Sequence, residues 1–186
     1  LMGKVSAVIV DNVDAAEKAT RHLLDSGHSS VAIILGNEDI YTTQKRREGY
    51  FNALHECIID PRTELVIYSD YTLEGGYNAM RKLLAFDPYP SAVFVTNYEM
   101  TLGAMIAINE VQLNIPSDIS MIGFDKLDMF GAIYPNLTLV KQPLNAISEC
   151  VARQLLTLLS DDKAPIQMIV LSAQLHEGAS VKRVVT

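Results

Sequence analysis

Short apolar runs alternate with helix-length amphipathic segments along most of this chain, and the connections between the runs are too long for hairpins. Such a rhythm restricts the strands to parallel pairing through right-handed crossovers. The runs are Val5–Val10, Val31–Leu35, Leu65–Tyr68, Ala92–Thr96 and Ile119–Phe124. They are apolar throughout rather than alternating, as expected of strands with helices on both faces of the sheet. The fold class expected is therefore α/β, with doubly wound parallel sheets.

The intervening helices follow from spacing. After Asp11-Asn12, with Asp14 as a candidate cap, Ala16, Ala19, Leu23 and Leu24 form one face, and Gly27 ends the helix. Further helices are expected over about Thr43–Cys57, Glu74–Phe86 and Glu99–Val111. Thr138–Val140 reads as a short strand or linker. Pro143–Leu159 reads as an amphipathic helix with Leu144, Ile147, Val151, Leu155 and Leu158 inward. Ile166–Leu171 and Val181–Val184 read as closing strands.

A formal net charge of −7 argues against nucleic-acid binding by this segment, because DNA affinity comes largely from Lys and Arg on phosphates. Cys57 and Cys150 read as two reduced thiols, without the spacing of a zinc site. No apolar run approaches the ~20 residues of a membrane span, and residues 1–4 do not form a signal pattern. The chain contains no Gly-x-Ser-x-Gly elbow, phosphate-binding Gly-x-x-x-x-Gly-Lys-Ser/Thr loop or His-Glu-x-x-His. No catalytic residue, metal or cofactor is expected.

An open parallel sheet binds ligands beyond the carboxyl ends of its strands. The polar residues there are Asp11, Asn12, Gly36, Asn37, Asp70, Tyr71, Asn97 and Asp125, with Arg46 early on the helix after Gly36. Asp, Asn and Arg beside an aromatic ring suit a sugar: amides and carboxylates meet hydroxyls, guanidinium forks across two oxygens, and the ring covers an apolar face. Each also has a plainer role. Asn97 caps a helix, Asp125 serves a turn, Arg46 is a solvated charge beside Lys45 and Arg47, and Tyr71 is packing. His22 and His28 read as structural.

Five ordered blocks resemble the lactose-repressor/galactose-repressor (LacI/GalR) family of transcriptional regulators. They are His22-Leu23-Leu24-Asp25-Ser26-Gly27-His28; Arg46-Arg47-Glu48-Gly49-Tyr50; Pro90 to Asn97 with Met100-Thr101-Leu102-Gly103-Ala104; Ile115-Pro116-Ser117-Asp118 through Gly123-Phe124-Asp125; and Pro135-Asn136-Leu137-Thr138 with Gln142-Pro143. Tyr98, Thr101 and Lys126 depart from the family pattern. The resemblance implies a periplasmic-binding-protein-like type I fold of two lobes joined by three crossings, with a small-molecule effector, sugar-like, in the cleft. It places 31–141 and 166–186 in the C-terminal lobe, and 1–30 and 142–163 as remnants of an incomplete N-terminal lobe.

By the same resemblance Arg46, Tyr71, Asn97 and Asp125 bind effector, with Thr42 and Gln142 at the cleft edge. Leu102 and Met105 lie either in a homodimer interface or in plain core. The implied protein is a cytoplasmic regulator that touches DNA only through a helix-turn-helix headpiece absent here. Two rivals remain: an exported sugar-binding protein of a transporter, and a doubly wound enzyme acting on a sugar or nucleotide.

Overall fold

The computed structural model describes residues 5–125, 136–161 and 164–184. Its elements in chain order are β1 Ala7–Val10, α1 Asn12–Asp25, β2 Val31–Leu35, α2 Tyr41–Glu56, β3 Val66–Tyr68, α3 Leu73–Leu84 and β4 Ala92–Val95. Then follow α4 Tyr98–Glu110, β5 Ser120–Phe124, β6 Thr138–Lys141, α5 Leu144–Ser160, β7 Met168–Leu171 and β8 Gln174–His176. Two sheets result: one of two strands, β1-β7, and one of six in the order β3-β2-β4-β5-β6-β8. All pairs are parallel except β6–β8 at one edge.

The continuous apolar strands are explained by two cores on opposite faces of the larger sheet. Val31, Ile33, Leu35, Phe94, Ile122 and Phe124 face α1 and α2. Ala32, Ile34, Val93, Val95 and Met121 face α3 and α4. The period-2 pleat sends successive side chains to alternate faces. Tyr50 locks α2 to the sheet by donating its buried hydroxyl to the Val31 carbonyl at 2.8 Å.

Several details depart from the expected pattern. The cap of α1 is Asp11, whose side chain accepts from the Asp14 backbone at 3.1 Å; Asp14 itself lies in the first turn. Both are acidic, and the cap is the one nearer the strand end. Val181–Val184 is not a strand. It is nonetheless held to the sheet, with the Val184 N–H donating to Ser26 O at 2.8 Å and the Lys182 N–H to Ser120 Oγ at 3.0 Å. The edge strand is instead β8, a short polar segment without a hydrophobic signature.

Helix α1 packs on α2 and the larger sheet through Ala15, Ala16, Ala19 and Leu23. Residues 1–30 are expected together in the N-terminal lobe; among the described ones β1 pairs with β7 outside the larger sheet, while α1 packs on that sheet. Likewise β7, expected in the larger lobe, pairs with β1. Among the described residues the chain passes between the two sheets three times, at Asp11–Asn12, Gln142–Pro143 and Ser172–Ala173. The stripe on α5 is present but not covered. Leu144, Val151, Leu155 and Leu158 are exposed; among the described residues this helix lies mainly beside β1 and β7, with Ile147 reaching the α1–α2 core. Lys126 and Pro135 lie outside the described residues.

Helices α1, α2 and α4 each end with a left-handed residue, Gly27, Ile58 and Gln112. Each end carries the paired backbone bonds of a Schellman cap; at α2 these run from Ile58 N to His55 O and from Ile59 N to Leu54 O. A β-branched residue is poorly suited to φ +56°, and Ile58 is 94% exposed, so it contributes little packing. Ile58→Gly is expected to raise stability by about 0.5–1 kcal/mol, relief of strain exceeding the added unfolded-state entropy. A shift of the urea midpoint to higher concentration checks this; an unchanged or lower midpoint contradicts it.

His28, 2% exposed at the opposite end of the sheet from the strand carboxyl ends, shares a 2.9 Å hydrogen bond between Nδ1 and Ser91 Oγ. Burial pushes its pKa below the usual histidine value, against the pull of the polar backbone at Lys182, and its Nε2 is buried with no hydrogen-bond partner among the described residues. A base with a depressed folded pKa binds more protons when unfolded. Its contribution is therefore fully present above about pH 6.5, the unfolded value, and is lost progressively as pH falls below it. Urea titrations between about pH 7.5 and 5.5 are expected to show this fall, and His28→Gln should flatten it.

Candidate ligand-binding cleft

The sheet order reverses direction at β2, which leads to β3 on one side and is paired with β4 on the other. At such a reversal an open α/β sheet is expected to leave a crevice at the carboxyl ends of the two strands, here β2 and β4. The strands that precede Gly36, Tyr71, Asn97 and Asp125 all run parallel, so these residues share one end of the sheet.

Arg46 occupies the crevice from the second turn of α2 and is 6% exposed. Its Nε donates to Asn12 Oδ1 at 2.9 Å and its Nη1 to the Thr96 carbonyl, at the end of β4, at 2.5 Å. The guanidinium carbon stands 3.6 Å from the centroid of the Phe124 ring, a cation–π stack in a desolvated place. Burial pushes the Arg46 pKa down, and the charge of Asp125 and the Tyr71 phenol pull it back up. A guanidinium stays protonated in such a site. This is a fixed cation, not a solvated helix charge, and its remaining N–H groups have no protein partner among the described residues.

Tyr71 and Asp125 follow β3 and β5 with φ of +66° and +71°. Neither is a helix cap, unlike Gly27, Ile58 and Gln112. Left-handed backbone at non-glycine residues clusters at functional sites, where it aims a side chain. The Tyr71 ring lies over Gly36: a Cβ there would stand 2.0 Å from the ring carbon Cζ. Its hydroxyl shares a 2.5 Å hydrogen bond with Thr43 Oγ1. Asp125 accepts from Gln142 Nε2 at 2.5 Å through Oδ1, and its own N–H donates to the Val140 carbonyl at 2.8 Å. Asn97 caps α4, Oδ1 accepting from Met100 N at 3.0 Å; its amide nitrogen has no protein partner among the described residues.

The expected residues thus fall in two groups. Arg46, Tyr71, Asn97 and Asp125 are at the same end of the sheet, and Gln142 touches Asp125. Thr42 sits half-buried on the first turn of α2, beside Thr43, which holds Tyr71. Asp70 is engaged locally, its Oδ1 accepting from Thr72 N and Oγ1, which holds its pKa below the usual range. Leu102 and Met105 are half-buried on α4, packed against the α3–α4 core. Sequence reasoning did not single out Thr43, Thr96 or Phe124. Thr43 carried a signal, since it lies three residues before Arg46 on one helix face.

A family model described as a periplasmic binding protein-like domain matches residues 20–181. The Probable HTH-type transcriptional repressor ExuR of Bacillus subtilis (strain 168) is 35% identical over 182 residues, covering 98% of this chain and 55% of that protein. The chain therefore spans about half the length of the curated relatives it matches. A solved structure of the transcriptional regulator CelR in complex with cellobiose superposes with a TM-score of 0.90 at 30% identity, covering 95% of this chain and 54% of that one. A LacI family transcriptional regulator from Enterococcus faecium with bound ribose gives 0.89 at 27% identity, covering 100% and 68%. The chain belongs to the periplasmic binding protein-like domain family, and over nearly its whole length it is similar to the corresponding part of LacI-family transcription regulators.

Proposed function

We propose that this chain is the effector-sensing domain of a cytoplasmic LacI-family regulator, binding a sugar-like molecule in the crevice lined by Arg46, Tyr71, Asn97 and Asp125. The convergence of a buried, fixed cation, a carboxylate and a free amide at one sheet end carries this reading. These groups present donors and an acceptor to hydroxyls, and the Tyr71 ring offers an apolar face. The sugars named with the CelR and Enterococcus faecium structures support the same chemistry.

In this reading α1–α4 and the six-stranded sheet form one lobe, while β1, β7 and α5 belong to a second. The exposed apolar stripe of α5 supports that division, since it suits burial against further elements of the second lobe. Ligand bridging both lobes favours the closed arrangement by its differential affinity, which alters the operator affinity of a homodimer. DNA contact belongs to a headpiece outside this acidic segment. Leu102 and Met105 are dimer-interface candidates on α4. The domain is a binding module, not an enzyme.

A thermal-shift panel on the full-length protein tests the reading. Cellobiose, ribose, galactose, galacturonate, glucose 6-phosphate and adenine span the chemistry. Saturation at about 100 times Kd stabilises by about 2.7 kcal/mol, a rise of several degrees. A panel in which none of the five sugars moves the melting temperature, whether or not adenine does, counts against it.

A further inference from the structure

The side chain of Asn12 joins two parts of the molecule. It is 5% exposed and lies at the first crossing between the sheets. Its Oδ1 accepts from Arg46 Nε at 2.9 Å, and its Nδ2 donates to the Val10 carbonyl, at the last residue of β1, at 2.9 Å. One amide therefore connects the buried cation of the crevice to the smaller sheet. At the second crossing Gln142 makes a similar link, donating to Asp125. Both charged residues of the crevice are thus bonded to a segment that must change its dihedral angles when the sheets move relative to one another.

We propose that Asn12 is a positioning residue through which occupancy at Arg46 sets the orientation of β1, and with it the smaller sheet. The proposal rests on the reading that the crevice holds a ligand. A ligand oxygen on the remaining Arg46 N–H groups fixes the guanidinium plane. The fixed plane holds Asn12 Oδ1, and the amide, rigid as a unit, holds its Nδ2 against Val10 O. Both atoms are buried, so neither bond is readily exchanged for water.

The two halves of the amide are separable by substitution. Asn12→Asp keeps an acceptor for Arg46 and removes the donor to Val10; Asn12→Ala removes both. The test uses full-length protein and whichever of cellobiose, ribose, galactose, galacturonate, glucose 6-phosphate or adenine gives the largest wild-type thermal shift. Affinity is read by calorimetry, and lobe closure by the change in radius of gyration on saturation. Asn12→Asp is expected to lose the closure signal and, with it, about fivefold in affinity, and Asn12→Ala to lose the closure signal and about fiftyfold, because the Arg46 bond goes as well.

Wild-type closure in Asn12→Asp overturns the proposal, as does a loss of affinity in Asn12→Asp equal to that of Asn12→Ala. Hydrogen exchange on the wild type gives a second readout independent of variant folding. The Val10–Asp14 amides should gain protection with the same compound, and unchanged exchange there also overturns it. If no compound shifts the wild type, the functional reading fails first and the inference falls with it.

Discussion

Arg46→Ala is expected to reduce effector affinity at least about a hundredfold and to lower stability by about 3 kcal/mol. Both effects come from one side chain that is buried, forked and stacked. Removing it leaves Asn12 Oδ1 and the Thr96 carbonyl without their donor and opens space against the Phe124 ring. Each unpaired buried acceptor costs about 1–3 kcal/mol. Arg46→Lys should fall between the two, since an ammonium cannot reproduce the planar fork. Arg46→Met restores the stem over Phe124 and should recover part of the stability but none of the affinity. Calorimetry paired with urea titration separates these effects. Wild-type affinity in Arg46→Ala would show that the cation serves only the fold.

Asp125→Ala should behave differently, with binding lost by about a hundredfold and stability changed by no more than about 1 kcal/mol. Asp125 is half-buried, and its backbone N–H bond to Val140 survives the substitution. The cost to the fold is the lost acceptor for Gln142 and an alanine at φ +71°. Asp125→Asn keeps a residue that tolerates left-handed backbone and an acceptor for Gln142 while discarding the charge. Its affinity should lie between wild type and Asp125→Ala. Unchanged affinity in Asp125→Ala, or a global loss of structure, would each contradict this assignment.

Most of the fold was legible because a parallel sheet buried on both faces leaves an unambiguous pattern. Ile33 and Ile34 point to opposite cores and must both be apolar. The end of the sheet that carries the crevice was legible for a topological reason: parallel strands bring their carboxyl ends together whatever the ligand. Strand β8 was not legible, because Gln174–His176 is short and its pairing is fixed by β6 rather than by its own pattern. The stripe of α5 predicted a helix correctly but not its environment, since burial depends on what lies opposite. Asn12 looked like one rim residue among several. Its link between Val10 and Arg46 is a three-dimensional property with no local signature.

The six-stranded sheet terminates on both sides in strands of three residues, Val66–Tyr68 and Gln174–His176. Each outer border therefore offers only a few open backbone groups. One runs against the sheet direction and is largely polar. Such brief borders make poor templates for recruiting strands from neighbouring molecules. The borders of this sheet thus do not carry the hazard that its interior strands, taken singly, would have as aggregating peptides.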